Sequence, residues 1–177
     1  GGLDTGSEAA STWYHLWVIA KADGAKSVIF STSATAPTQP AGYTYKAYLG
    51  AWYNGADGHF RKAYQIGRRV TMEGMTADMS GGTATSYTAV TISVPATARI
   101  WHGCLGLTAN SGMGSILLAS DSSWPGNCSQ IGWAGSSVLH QAMHSIIIKT
   151  PQTLYYALQG SPYVTLAGSL WTSGWEY

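Results

Sequence analysis

The stretch Trp13-Tyr14-His15-Leu16-Trp17-Val18-Ile19-Ala20 decides the fold class. Trp13, His15, Trp17 and Ile19 alternate with Tyr14, Leu16, Val18 and Ala20, the period of two in which a β-strand turns successive side chains to opposite faces. The turn signal Ala22-Asp23-Gly24-Ala25 follows, so Ser27–Ser31 reads as the return strand of a hairpin. Residues 32–42 carry Pro37, Pro40 and Gly42, which exclude a central strand and predict a crossover loop.

The same period recurs along the chain. Tyr43–Asn54 reads as a long strand, Asn54-Gly55-Ala56-Asp57-Gly58 as a turn, and His59–Ile66 as a return strand. Residues 73–86, with Glu73-Gly74 and Ser80-Gly81-Gly82, are expected to form a long surface loop, and a weak domain seam is expected near 71–86. Tyr87–Val94 alternates most cleanly, with Val90, Ile92 and Val94 against Thr91 and Ser93, before Pro95 closes it. Arg99–Thr108 and Ser115–Ser120 flank the turn at Asn110–Gly114, and residues 121–137 read as a second loop. Ser145–Lys149, Leu154–Gln159, Tyr163–Ala167 and Ser169–Tyr177 complete about eleven short strands, with no capped amphipathic helix. The expected fold is all-β: one antiparallel β-sandwich, jelly-roll-like domain over residues 1–177 with long Gly/Ser-rich loops.

Composition narrows the function classes. Charged residues are 10% of the 177 residues, against roughly 25% in ordinary domains. Ser and Thr together number 38, Gly 22, and 45% of the chain is apolar. A net charge of +1 gives no electrostatic basis for nucleic-acid binding. Five Lys and three Glu are too few for a helical bundle or coiled coil, and the apolar content opposes disorder. No apolar run reaches the ~18–20 residues of a membrane-spanning helix, so no membrane insertion is expected. The chain opens Gly1-Gly2-Leu3 with no initiator Met or secretory pattern, and is expected to be a C-terminal piece of a longer polypeptide. Cys104 and Cys128 are too few for a disulfide scaffold and are expected to be free buried thiols.

The chemistry-bearing residues point to binding before catalysis. A polysaccharide hydrolase needs two carboxylates in one cleft. Only Asp57, Glu73, Asp78 and Asp121 lie in stretches read as long loops or turns that could line one. No Gly-x-Ser-x-Gly elbow is present, since Gly112-Met113-Gly114-Ser115 does not make it, and no serine triad is visible. His140 and His144 share a face on either a helix or a strand and are a weak metal possibility, with Cys128 a conceivable third ligand. No metal, cofactor or catalytic residue is expected. Eight Trp and eleven Tyr against two Phe are the stronger signal. Phe serves cores alone, whereas Trp and Tyr carry a polar atom and favour interfaces. Two clusters combine flat rings with hydrogen-bonding side chains, the pairing suited to a sugar's apolar face and hydroxyls. One is Asp121, Trp124, Asn127, Gln130 and Trp133; the other is Trp52, Tyr53, Asn54, Asp57 and His59.

Residues 1–66 add a resemblance. Gly1-Gly2-Leu3-Asp4-Thr5-Gly6-Ser7, then Ala10-Ser11-Thr12-Trp13-Tyr14-His15-Leu16-Trp17-Val18-Ile19, resembles a segment of tail fibres and related tail proteins of tailed bacteriophages and prophages. Ser31–Thr44, Leu49-Gly50-Ala51, Gly58 and Phe60 continue it; from Arg69 onward no family motif follows. The resemblance implies a receptor-binding domain of the virion tail, made in the host cytoplasm and acting at the host surface. It would be a homotrimer recognising bacterial surface carbohydrate such as lipopolysaccharide or capsule. It carries over no catalytic motif. Two other readings stay open: a capsule or lipopolysaccharide depolymerase or esterase domain, and a purely structural trimerisation or capping module.

Overall fold

The computed structural model describes residues 2–110, 112–123, 128–134, 140–161 and 164–177, with 128–134 and 140 described by their backbone alone. The protein is all-β, 62% strand, with no helix among the described residues. The chain divides into two compact units, Gly1–Ala63 and Tyr64–Tyr177. The stretch 71–86, where a seam was expected, falls inside the second unit.

The first unit is a four-stranded sheet of β1 (Gly2–Leu3), β2 (Thr12–Lys21), β3 (Lys26–Ser31) and β4 (Tyr43–Asn54), in the order β1-β3-β2-β4. β2 and β3 form the expected hairpin. Its turn is closed by Lys21 N–H to Ala25 O at 2.9 Å, and Asp23 Oδ1 accepts from Ala25 N–H at 2.9 Å. Residues 32–42 carry the chain from β3 across β2 to β4, the predicted crossover. Trp17, Ile19 and Ile29 form a buried cluster on one face, with Tyr43 and Tyr48 packed against it. The crossover loop is tied to that face: Trp17 Nε1–H donates to Ser33 O at 3.3 Å, and Lys46 Nζ donates to Thr35 O at 3.1 Å while lying 5.5 Å from the Trp17 ring centre. The parallel pair β1–β3 was not expected; Asp4 holds the start of the chain beside the loop by accepting from Thr38 N–H at 2.7 Å.

The second unit has two sheets. One has the order β10-β9-β12-β7, from β7 (Thr88–Thr91), β9 (Met113–Ala119), β10 (Cys128–Ala134) and β12 (Thr153–Gly160). The other has the order β11-β8-β13-β6-β5, from β5 (Ala63–Ile66), β6 (Arg69–Gly82), β8 (Ile100–Ala109), β11 (His140–Ile147) and β13 (Leu166–Glu176). All pairings within these two sheets that carry a register are antiparallel. Trp101, Leu105, Leu107, Ile116, Leu118, Leu154, Leu170 and Val70 are fully buried.

Three expected loops or turns are strand. Residues 69–82 pair along β13 instead of looping, with three register shifts in the ladder. Each shift changes which face a residue takes, so the period of two is broken and cannot be read locally. Residues 128–134 form β10 against β9, starting just past the turn-rich Asp121–Gly126 segment. Residues 166–176 are one strand where two were expected around Gly168. A Cβ at Gly168 would meet Ile116 Cδ1 at 2.8 Å and Leu158 Cδ2 at 3.3 Å. This glycine serves close approach of two strands rather than a turn. Among the described residues there are thirteen strands, where about eleven were expected. Cys104 is a free, buried thiol whose pKa burial pushes up; the Cys128 side chain lies outside the described residues.

Candidate functional site

The end of β4 in the first unit brings aromatic rings and polar side chains together. Trp13 of β2 stands opposite Tyr53 of β4 in the ladder, so both side chains share one face. Their ring centres lie 5.2 Å apart at 53°, and both rings are half-buried. Arg61 follows the turn and returns beside β4, donating its N–H to Tyr53 O at 2.9 Å. Its guanidinium lies 5.8 Å from the Tyr53 ring centre, within the range of a cation–π contact. The turn is tight because Gly55 N–H donates to His59 O at 2.9 Å and Gly58 adopts a positive φ of 74°. A fixed pair of rings, a guanidinium and an exposed polar turn therefore sit at one end of the sheet.

The residues singled out around this turn take different places. Asp57 and His59 are exposed; Asp57 Oδ1 accepts from His59 N–H at 3.2 Å, and His59 Nδ1 lies 2.9 Å from Asp57 O. Trp52 is half-buried on the strand, opposite Tyr14 in register. Asn54 corrects the expectation of a ligand-facing amide. It is 0% exposed, and its Nδ2 donates to Glu8 Oε1 at 3.0 Å and Ala9 O at 2.9 Å. It pins the segment before β2 to the end of β4. Tyr53 was singled out with this turn, whereas Trp13 and Arg61 were not, because no pattern tells which ring of an alternating strand stays half-exposed.

The second aromatic cluster is only partly in view. Trp124 and Asn127 lie outside the described residues. Gln130 and Trp133 stand on β10 opposite Leu117 and Gly114 of β9, with their side chains outside the description. Asp121 is partly exposed and engaged: Lys149 Nζ donates to its Oδ2, and Ser123 donates to Oδ1 from its N–H and its hydroxyl, each at 3.1 Å. The Lys149 hydrogen bond above all holds this carboxyl below its ordinary pKa.

His140 and His144 both lie on β11. A strand rises about 3.3 Å per residue, which sets their Cα atoms about 13 Å apart. Among the described residues, no group of three or more His, Cys, Asp and Glu could hold a metal ion. Burial lowers the His144 pKa.

Two polar chains cross the larger sheet of the second unit. In one, Trp101 Nε1–H donates to Thr172 Oγ1 at 2.7 Å, and Thr172 donates on to Asp78 Oδ2, whose Oδ1 accepts from Ser93 N–H at 2.9 Å. Burial raises the Asp78 pKa, and the Thr172 and Ser93 hydrogen bonds oppose that rise. In the other, Ser145 Oγ lies 2.7 Å from His102 Nδ1, and His102 Nε2 lies 3.0 Å from Glu176 Oε1. Ser145 and His102 are ladder partners on β11 and β8, while Glu176 on β13 lies diagonally across from His102. Ser173 Oγ donates to His102 O at 3.2 Å from a bulge in β13. Sequence reasoning missed this trio, since 43 and 74 residues separate His102 from its partners and only the strand order joins them. A depression of about 340 Å³ elsewhere in this unit is lined by Thr83, Thr85, Ser161, Thr165 and apolar neighbours, with no aromatic or titratable side chain among the described residues. No family model, curated protein or solved structure matches the chain.

Proposed function

We propose that the protein is a receptor-binding domain of a bacteriophage tail fibre that recognises bacterial surface carbohydrate. The observation that carries this reading is the half-exposed Trp13–Tyr53 ring pair with Arg61 over Tyr53, beside the polar turn of Asp57 and His59. Flat rings suit the C–H face of a pyranose, and a guanidinium with adjacent carboxylate and imidazole suits its hydroxyls or an acidic sugar. This surface also lies within the residues whose order resembles tail fibres. In the second unit, the approach of β13 to β9 and β12 at Gly168 supports a sandwich of the jelly-roll kind.

Binding of labelled protein to intact bacteria, and its competition with phage adsorption, tests the function. Trp13→Ala and Tyr53→Ala each weaken saturable binding about tenfold or more at unchanged melting temperature, equivalent to about 1.4 kcal/mol. Wild-type-like binding by both variants, with loss in Trp124→Ala, moves the site to the second aromatic cluster. No binding to any host surface removes the function.

Self-association is a second reading with its own observation. Val18 stands opposite both Val28 and Ala47, and Ala20 opposite Tyr45, so these residues share one sheet face. Val28 is 39% and Tyr45 62% exposed. A homotrimer would cover such a surface and multiply weak glycan contacts by avidity. Solution mass by light scattering decides between one and three chains.

A further inference from the structure

We propose that Ser145, His102 and Glu176 form a nucleophilic site that hydrolyses carboxylic esters with short acyl chains. Ser145 is exposed, while His102 is buried and held from three sides, by Ser145, Glu176 and the β13 bulge at Ser173. Those are the needs of such a site: an accessible hydroxyl, an oriented imidazole, and a carboxylate that fixes the imidazole and balances its charge. By accepting a hydrogen bond from Nε2–H, Glu176 selects the tautomer whose Nδ1 lone pair faces Ser145 Oγ.

The backbone supplies a further part. Ile148 N–H donates to Arg99 O at 2.7 Å, in line with the ladder that pairs Ser145 with His102. Hydrogen-bonded and non-hydrogen-bonded pairs alternate in an antiparallel ladder, which makes Ser145–His102 a non-hydrogen-bonded pair. Such pairs bring side chains closest, and they turn the backbone N–H and C=O of the edge strand away from its neighbour. Ile147, two positions on in the same phase, confirms the direction: its carbonyl accepts from Ser120 Oγ at 2.8 Å, outside the β11–β8 ladder. The Ser145 N–H thus points away from β8, on the outer side of β11, which is the terminal strand of its sheet among the described residues, and from there it can donate to the oxyanion formed at the nucleophile. Met143 and Ile147 flank Ser145 on the same face and are 59% and 53% exposed. They offer an apolar seat for a short acyl group.

The chemistry balances with water alone. Ser145 Oγ attacks the ester carbonyl carbon as its proton passes to His102 Nδ1. The intermediate expels the alcohol, which takes that proton, and leaves an acyl-Ser145. Water then attacks while His102 Nδ1 takes its proton; collapse releases the carboxylic acid and returns the proton to Ser145. Ser145 and His102 are the catalytic residues, and Glu176 is a positioning residue.

The test uses the intact protein with a fluorophosphonate probe and with 4-nitrophenyl acetate and butyrate. The expected result is one label per chain on Ser145 by peptide mass, and saturable hydrolysis with a burst. Ser145→Ala abolishes both at unchanged melting temperature. Glu176→Gln lowers kcat at least ~100-fold with KM little changed, because the substrate does not touch Glu176. An unlabelled Ser145, or equal hydrolysis by wild type and Ser145→Ala, overturns the proposal and leaves the trio as a cross-strand tie. Ester hydrolysis is read separately from glycan binding, so either result stands without the other.

Discussion

His15 makes the first unit sensitive to pH. It is 4% exposed, and its Nδ1 lies 3.1 Å from the Tyr48 hydroxyl. Burial lowers its pKa below the ordinary 6.5, so between that value and the lowered one the unfolded chain binds more protons than the folded one. Stability therefore falls as pH drops from about 6.5 through the lowered value, and then levels. His144 adds to the fall in the same direction. Asp78 acts oppositely: its pKa is raised above 3.8 by burial, so its share of stability is lost as pH rises from there through the raised value. Thermal melts from pH 7.5 to 5 should show a declining midpoint, and His15→Gln should flatten part of the decline. An unchanged slope in that variant removes His15 as a source. The sequence marked Asn54 as a turn residue but not as a buried one, since burial depends on Glu8 and Ala9 folding back over it. His102 gave no local signal either, because its partners arrive from two other strands.

Elements follow the same division. The hairpin of β2 and β3, the long β4 and the crossover between them were legible because each keeps one phase of alternation or carries unmistakable turn residues. β6 and β13 were misread where bulges reset the phase and where glycine serves packing. Gly103 on β8 shows how strict that packing is: a Cβ there would lie 2.0 Å from Trp101 Cζ2 and 2.2 Å from Trp171 O. Gly103→Ala should cost about 1–3 kcal/mol or more as an overpacked site. Gly74 on β6 has nothing within 4 Å of such a Cβ and no positive φ, so Gly74→Ala should be neutral or stabilise by up to about 1 kcal/mol. Chemical denaturation of the two variants measures both. Equal losses would mean that the β8–β13 contact is looser than these distances imply.

At the scale of the molecule, low charge and abundant Trp and Tyr excluded several partners and pointed to recognition surfaces. They did not say which rings stay half-exposed, because that depends on where the crossover loop lies. The loop is tied to the buried Trp17, while Trp13 and Tyr53 lie half-buried towards the other end of the same face. The chain also divides at Ala63, where composition shows no break, although the stretch whose order resembles tail fibres ends close by, at residue 66. The most direct measurement is a calorimetric titration of purified host surface polysaccharide into wild-type protein and into Trp13→Ala. Saturable binding by the wild type, weakened about tenfold or more in a variant of unchanged melting temperature, is the predicted result. Equal affinity in the two proteins, or no heat of binding from any host polysaccharide, contradicts carbohydrate recognition at the Trp13–Tyr53 surface.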